Sequence, residues 1–148
     1  MNIYFICTGN TCRSPMAAAI LKNKNIPNLE VRSAGIYAQA GSAMSQNAQH
    51  VLDQNNVKHH HRSTLFNEQD AQWADLILTM TNAHKEMVLH LVDDIADKTY
   101  TLNEYVAKDT RDVQDPYGGD VFVYEQTFEQ LYEAIEKLEK KLRMEERI

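Results

Sequence analysis

The sequence predicts an α/β protein with a doubly wound, four-stranded parallel sheet and helices on both faces. Short apolar segments alternate with helical segments along the chain, which is typical of parallel strands joined by crossover helices. The first such unit, a strand followed by a tight loop and a helix, lies within the first 24 residues. No internal repeat and no linker divides the chain, so we expect a single domain over residues 1–148.

The N-terminal unit is predicted in most detail. Asn2–Ile6 is aromatic and β-branched and carries no charge, which indicates a short buried strand. Small and turn-forming residues follow over Cys7–Arg13. Ser14 then suits the N-cap of a helix and Pro15 its first helical position, and the helix continues over Met16–Lys24. The loop is therefore expected at the carboxyl end of the strand.

The same patterns predict the remaining elements. Runs of apolar or alternating residues predict strands over Leu29–Ser33, Asp75–Met80 and Lys98–Leu102. Helical spacing predicts helices over Ser42–Asn55, Asn67–Ala74, Asn82–Val92 and Val121–Arg143. Asn67 is expected to cap its helix, and the last helix carries one apolar stripe opposite a solvated face rich in Glu and Lys. Ligands of such sheets bind beyond the carboxyl ends of the strands.

The composition limits the possible partners and the compartment. The net charge of −6 argues against nucleic acid or an anionic membrane surface as the main partner. The two cysteines are too few and too close together for a secreted disulfide scaffold. The sequence shows neither a signal-peptide pattern nor an apolar run long enough to span a bilayer. We expect a monomeric, cytoplasmic protein with free thiols and no cofactor.

The loop after the first strand has the composition of an anion-binding site. Its backbone N–H groups and the positive end of the following helix converge on one concavity. Gly9 permits a close backbone approach, Asn10 tolerates a left-handed conformation, and Arg13 offers a planar fork of donors for phosphoryl oxygens. The residues of this loop predicted to contact the substrate are Thr8, Gly9, Asn10, Thr11, Cys12, Arg13 and Ser14. Neither a Walker lysine nor G-x-G-x-x-G is present, so the nucleotide-binding loops are excluded.

Cys7 is the predicted nucleophile. A thiol surrounded by amide donors, a helix N-terminus and Arg13 should have a pKa well below its usual value of about 8.5. The thiolate is the nucleophilic form, and it would lie beneath a bound phosphoryl group. The alternative is that Cys7 is a buried, inert residue at the end of a strand, which is the more common situation for a lone cysteine.

Phosphoryl transfer to cysteine also needs an acid for the leaving group, and Asp115 is the predicted one. It lies in a turn-rich loop before the last helix, from which a carboxyl group can reach over the anion-binding loop. Tyr117 is expected to wall the substrate slot with its ring. Asp112 and Asp120 are nearby alternatives, and a plain surface turn is the alternative for the whole segment.

Two motifs together resemble a known family. The run Cys7-Thr8-Gly9-Asn10-Thr11-Cys12-Arg13-Ser14-Pro15, with Asp115-Pro116-Tyr117 near the far end, resembles the low-molecular-weight protein tyrosine phosphatases, and the resemblance extends over essentially the whole chain. It implies a phosphocysteine intermediate on Cys7. It also implies that Arg13 and the loop amides bind the phosphoryl group, and that Asp115 protonates the leaving group and then activates the hydrolytic water.

The resemblance implies supporting roles for further residues. Ser14 matches a serine that helps to stabilise the thiolate. Asn10, Ser33 and His61 match a polar network that holds the loop in shape. Cys12 matches a second cysteine that can pair reversibly with the nucleophile under oxidation.

Thr11 bears on the substrate. Eukaryotic members carry a bulky aliphatic residue there, whereas threonine resembles the bacterial subgroup that removes phosphate from phosphoarginine in proteins. A hydroxyl at the pocket mouth can meet a polar guanidinium, while a branched hydrocarbon favours a phenyl ring. Gly118-Gly119 leaves the rim open, and the ring of Tyr117 suits either substrate. We therefore expect a protein arginine phosphatase acting on phosphorylated proteins, with a tyrosine phosphatase of the same fold as the alternative.

Other functions are less consistent with the sequence. Arsenate reductases of this fold need cysteines downstream of Cys12, and none follows. The run His59-His60-His61 suggests a metal site, but consecutive side chains in an extended segment point alternately, so no metal site is expected. A lone His84 or His90 is expected at the surface or in packing. A phosphate-binding module without turnover would need neither the cysteine nor the aspartate.

Overall fold

A four-stranded, fully parallel sheet with the strand order β2-β1-β3-β4 forms the centre of the protein. The computed structural model describes all residues, 1–148. The strands are β1 (Asn2–Cys7), β2 (Glu30–Gly35), β3 (Leu76–Thr79) and β4 (Thr99–Thr101). The helices are α1 (Arg13–Lys22), α2 (Gln46–Gln54), α3 (Glu68–Trp73), α4 (Asn82–Leu91), α5 (Leu102–Ala107) and α6 (Val121–Met144). The predicted fold class, a doubly wound parallel sheet, is confirmed.

Both faces of the sheet are covered because β1 and β3 are apolar on both sides. Alternate β1 residues enter two separate cores, with Ile3 and Phe5 on one face and Tyr4 and Ile6 on the other. The larger core packs α1, α2 and α6 against the first face, and the smaller packs α3 and α4 against the second. Near-continuous apolar strands of this kind are typical of parallel sheets with helices on both faces. None of the helices is both long enough and apolar enough to cross a membrane.

The start of α1 differs from the prediction. The helix begins at Arg13 with Cys12 in the cap position, so the assignment of Ser14 as N-cap and Pro15 as first helical residue is wrong. The hydroxyl of Ser14 is instead within hydrogen-bond distance of Cys7, at 2.8 Å. The predicted cap Asn67 is confirmed, since its side chain accepts a hydrogen bond from the backbone N–H of Asp70 at 2.7 Å.

One helix was not predicted at all. The segment after β4 turns directly into α5, where Thr101 and Glu104 form a capping box. The sequence pattern T-x-x-E signals such a start. The predicted strand Lys98–Leu102 instead ends at Thr101.

Candidate active site

A cleft of about 260 Å³ opens beyond the carboxyl end of β1, at the edge where the sequence predicted a ligand. It is lined by Cys7, Thr8, Gly9, Thr11, Cys12, Arg13, Asp115 and Tyr117. The structure thus brings together residues more than 100 positions apart in the chain. Two of the predicted substrate-contacting residues, Asn10 and Ser14, are absent from this lining and lie fully buried beneath the loop.

The sulfur of Cys7 lies in a directed hydrogen-bond network. Ser14 Oγ is 2.8 Å from Cys7 Sγ, and Asn10 Nδ2 donates to the same Ser14 oxygen at 2.8 Å. Because Ser14 accepts from Asn10, its own proton is free to point toward the sulfur. The backbone carbonyl of Ala34 is the competing acceptor, but at 3.4 Å it is farther away. The serine can therefore donate to the thiolate form of Cys7, and this hydrogen bond favours the thiolate.

The pKa of Cys7 corrects the sequence-based expectation. Burial raises the pKa of this thiol, because Cys7 is only 3% exposed and the charged form loses hydration. The hydroxyl and backbone N–H of Ser14, the Arg13 guanidinium and the backbone N–H of Asn10 each lower the pKa, but together they do not outweigh burial. The expected groups are all present, and the prediction of a strongly lowered pKa is wrong because it left out burial.

Asn10 holds the loop in shape from below. Its φ of 56° is left-handed, as its sequence position predicted. Its carbonyl accepts hydrogen bonds from His61 Nε2 at 2.6 Å and from the Ser63 hydroxyl at 2.8 Å. Its side-chain amide donates to Ser33 Oγ at 3.0 Å and accepts from the backbone N–H of Thr64 at 2.9 Å. The arrangement of Asn10, Ser33 and His61 that the resemblance implied is thus present in the structure.

Gly35 is the glycine that allows the loop to lie close against the sheet. A Cβ at this position would lie 2.4 Å from the carbonyl oxygen of Thr8 and 2.8 Å from the amide nitrogen of Asn10. Gly9 has no such close contact within the protein, since a Cβ there would meet only Thr11 Oγ1, at 3.7 Å. The loop sequence alone therefore indicates Gly9 and gives no sign of Gly35, which ends β2 and contacts the loop from the neighbouring strand.

Arg13 joins the anion-binding loop to the loop that carries Asp115. It is 5% exposed, and its Nη1 donates to the carbonyl of Val113 at 3.2 Å. Its Nη2 lies 3.6 Å from Asp115 Oδ2 and 3.5 Å from Thr8 Oγ1. The guanidinium therefore faces the cleft with its position fixed by a backbone contact, as a phosphoryl-binding group requires.

Asp115 is the carboxylate at the rim of this cleft. Its side chain is 54% exposed, and its Oδ1 accepts the backbone N–H of Tyr117 at 3.1 Å. The two alternatives have structural partners elsewhere: Asp112 accepts the backbone N–H of Asn82, and Asp120 caps α6. Of the three aspartates, only Asp115 lines the cleft with Cys7.

His84 contacts the site although the sequence gave no reason to include it. It is 8% exposed in the first turn of α4, and its Nε2 lies 2.8 Å from Thr8 Oγ1. Burial and, to a smaller extent, the nearby Arg13 lower its pKa to about 4 against the opposing effect of Asp112 and Asp115. The one available signal was the position of α4 directly after the central strand β3, which brings its first turn to the edge where ligands bind.

The histidine run does not converge on one point. His59 pairs with Asp53 at 2.8 Å, while His61 donates to the loop carbonyl of Asn10. No group of three or more His, Cys, Asp or Glu side chains is arranged to hold a metal ion. The two cysteines are both free thiols, and both line the cleft.

Comparison with known proteins gives a consistent result. Residues 2–147 match the model of a family described as low molecular weight phosphotyrosine protein phosphatase. The protein-arginine-phosphatase of Geobacillus stearothermophilus is 42% identical over 97% of both chains. The low molecular weight protein-tyrosine-phosphatase PtpB of Staphylococcus epidermidis is 38% identical over 93% of this chain and 96% of its own. A solved C7S mutant of the YwlE arginine phosphatase, with a phosphorylated active site serine, superposes with a TM-score of 0.95 at 38% identity and covers 99% of each chain.

Proposed function

Because the chain belongs to the low molecular weight protein tyrosine phosphatase family, we propose that it hydrolyses phosphoarginine in proteins through a phosphocysteine intermediate. The family makes it a cysteine-dependent protein phosphatase. The observation that carries the proposal is the position of a buried cysteine at the floor of the same cleft that holds a fixed arginine and a rim carboxylate.

In the first step, the Cys7 thiolate attacks phosphorus and the bond from phosphorus to the leaving group breaks. Arg13 and the loop N–H groups neutralise charge on the equatorial oxygens, as in other phosphoryl transfers. Asp115 enters this step protonated and donates its proton to the departing nitrogen of arginine. The exposure of its side chain at the cleft rim supports this role, because a leaving group exits on the open side of the cleft.

In the second step, water attacks the phosphocysteine. Asp115, now a carboxylate, takes a proton from the water, the sulfur–phosphorus bond breaks, and phosphate departs with Cys7 again a thiolate. The hydrogen bond from Ser14 stabilises that thiolate as the leaving group. The same carboxyl group therefore serves as acid and then as base.

Thr11 supports phosphoarginine as the substrate. It is half-buried and lines the cleft, and its hydroxyl has only a long 3.7 Å contact to Cys12 Sγ. The hydroxyl can therefore accept a guanidinium N–H, and the carbonyl oxygen of the protonated Asp115 carboxyl across the cleft can accept another. An aliphatic side chain at residue 11 would leave the first of these N–H groups without a partner, which costs binding free energy.

Phosphotyrosine is the second candidate substrate, and one observation favours it. The ring of Tyr117 lines the cleft and is 82% exposed, so it offers an open face on which a phenyl ring can stack. The staphylococcal relative named above is described as a tyrosine phosphatase.

The deciding experiment compares kcat/KM on phosphoarginine and phosphotyrosine peptides for the wild type and for Thr11→Ile. We expect the wild type to prefer phosphoarginine and Thr11→Ile to shift the preference toward phosphotyrosine by about tenfold or more, the value of one or two hydrogen bonds. Thr110→Ile, an exposed threonine outside the cleft, is the matched control and should change neither value.

Cys7→Ser tests the nucleophile. It should abolish turnover on both peptides while inorganic phosphate still binds. Hydrolysis at the wild-type rate by this variant would contradict the proposed chemistry altogether, whereas an unshifted preference in Thr11→Ile would contradict only the role of Thr11.

A further inference from the structure

His84 forms the outer support of the cleft wall and has no role in the chemistry proposed above. It belongs to the first turn of α4, where its backbone N–H donates to the cap residue Thr81 at 3.0 Å. Its imidazole is buried, and its Nε2 lies 2.8 Å from the hydroxyl of Thr8, the residue directly after the nucleophile. Thr8 is itself exposed and lines the cleft. The one hydrogen bond of the ring thus goes to this threonine.

The surroundings of the ring identify its tautomer. Nδ1 of His84 is buried and has no hydrogen-bond partner. If the proton were on Nδ1, a buried N–H donor would be left unpaired, and such donors are rarer in proteins than unpaired buried acceptors. The proton therefore belongs on Nε2, which donates to Thr8 Oγ1.

This tautomer determines what the Thr8 hydroxyl can do. Its oxygen has two lone pairs, and it faces two donors, Nε2 of His84 at 2.8 Å and Nη2 of Arg13 at 3.5 Å. With both lone pairs engaged, the hydroxyl can no longer act as an acceptor. Its proton remains, and the open direction for that proton is the cleft.

We propose that His84 is a positioning residue that holds the Thr8 hydroxyl as a dedicated hydrogen-bond donor to the phosphoryl group of the substrate. The proposal rests on the proposed phosphatase function, and it adds one directed donor to the loop N–H groups and Arg13. A threonine hydroxyl that accepted from Arg13 alone could still rotate and point its proton away from the cleft. With its acceptor sites occupied, it is organised before the substrate arrives.

The charge state of the ring fits this role. Burial and Arg13 lower the pKa of His84 to about 4, while Asp112 and Asp115 have a smaller opposing effect. The ring is therefore neutral at physiological pH. It has one donor for the Thr8 hydroxyl and no positive charge that would compete with that hydroxyl for the phosphoryl group.

The first test does not depend on turnover. Long-range ¹H–¹⁵N spectra of the uniformly ¹⁵N-labelled wild-type protein report which ring nitrogen of His84 carries the proton. We expect a neutral ring protonated on Nε2 near neutral pH, with His84→Gln used to assign the signal. A neutral ring protonated on Nδ1, or a charged ring at this pH, would overturn the proposal.

The second test is a double-mutant cycle on hydrolysis of an aryl phosphate. Thr8→Val removes the hydroxyl with little change in volume, and His84→Phe keeps a ring but removes the donor. Each should lower kcat/KM by about 10- to 100-fold and weaken inhibition by inorganic phosphate, as expected for a hydrogen bond to a charged group. The double variant should be no worse than Thr8→Val alone, because His84 acts only through that hydroxyl.

Controls separate positioning from stability. His84→Gln keeps a donor at this position and should recover part of the activity, whereas His90→Gln, an exposed histidine on the same helix, should behave as wild type. Thermal unfolding is measured for every variant. If His84→Phe does not fold, the activities of Thr8→Ser and Thr8→Val are compared instead. Equal activities of these two variants would refute a role for the hydroxyl. Additive losses in the double variant would refute the route through Thr8. A wild type that hydrolyses no phosphate ester would instead refute the proposed function, and the tautomer would still be measurable.

Discussion

Replacing Gly35 by alanine should damage catalysis although Gly35 does not line the cleft. The added Cβ would lie 2.4 Å from the Thr8 carbonyl oxygen, 2.8 Å from the Asn10 nitrogen and 2.9 Å from the Gly9 carbonyl carbon. All three are backbone atoms, so no side-chain rotation can relieve the contact. Ordinary contact distances would be reached only if the loop moved by about 1 Å, since non-bonded atoms prefer separations of about 3.5 Å or more.

The expected loss follows from that displacement. A misplacement of about 1 Å in a catalytic site can lower the rate by about 100-fold. Overpacking of this kind costs about 1–3 kcal/mol of folding free energy. A chain of this size then loses about 2–4 °C in Tm for each kcal/mol. We therefore expect Gly35→Ala to fold, to melt a few degrees lower, and to lose most of its kcat on an aryl phosphate.

Gly41→Ala is the matched control. Gly41 has a positive φ of 85° and no atom near its missing Cβ, so alanine there strains the backbone without touching the loop. It should lower Tm by a similar amount and leave kcat unchanged. If Gly35→Ala kept kcat within about twofold of the wild type, the argument that this glycine sets the position of the loop would be refuted.

Three further predictions use the same assays. Ser14→Ala should raise the pKa of Cys7 further and slow its alkylation by iodoacetamide about tenfold at neutral pH, because the thiolate loses its donor at 2.8 Å; an unchanged pH profile would contradict the network. Asp120→Ala should lower the unfolding free energy by about 1 kcal/mol through loss of the α6 cap, while kcat is retained. Asp115→Asn should instead lower kcat on a phosphotyrosine peptide by about 100-fold or more. The opposite pattern would make Asp120 the acid and Asp115 a structural residue. The folded state should lose stability as the pH falls from about 6.5, the pKa of an unfolded histidine, to about 4, the pKa of His84. In this range the unfolded chain binds a proton that the buried ring does not. Denaturant unfolding at different pH values should show a weaker loss of stability for His84→Phe.

The sequence is sufficient to predict those features whose evidence lies in neighbouring residues of the chain. The alternation of strands and helices predicted the sheet, and Asn67 was identified as a cap because its partner is only three residues away. Ser14 was misassigned because a serine before a helical run has the same signature whether it caps the helix or donates to a neighbouring sulfur. A hydroxyl group serves either role, and only the exact start of α1 distinguishes a helix cap from a hydrogen-bond donor to sulfur.

The rest could not be predicted because it depends on contacts that are distant in the chain. Gly35 and His84 reach the loop from β2 and α4, and neither has a local signal that distinguishes it from an ordinary strand or helix residue. The sequence-based prediction of a lowered pKa for Cys7 is wrong for a related reason. The groups that lower it are neighbours in sequence, whereas the burial that raises it is produced by the whole fold.

The raised pKa of Cys7 is compatible with its proposed role as nucleophile. At neutral pH a thiol with a raised pKa meets a phosphoryl group that carries two negative charges, and the sulfur and the phosphoryl group then share one proton. If that proton moves from sulfur to a phosphoryl oxygen, a thiolate faces a phosphoryl monoanion. The number of protons is unchanged, and the thiolate meets less repulsion along the line of attack than it would from a dianion. Two groups so close titrate as a pair, so the pKa of the free thiol does not by itself set the reactive fraction. The hydroxyl of Ser14 and the charge of Arg13 stabilise the proton-transferred form, and burial keeps the thiol neutral until a substrate supplies a site for its proton.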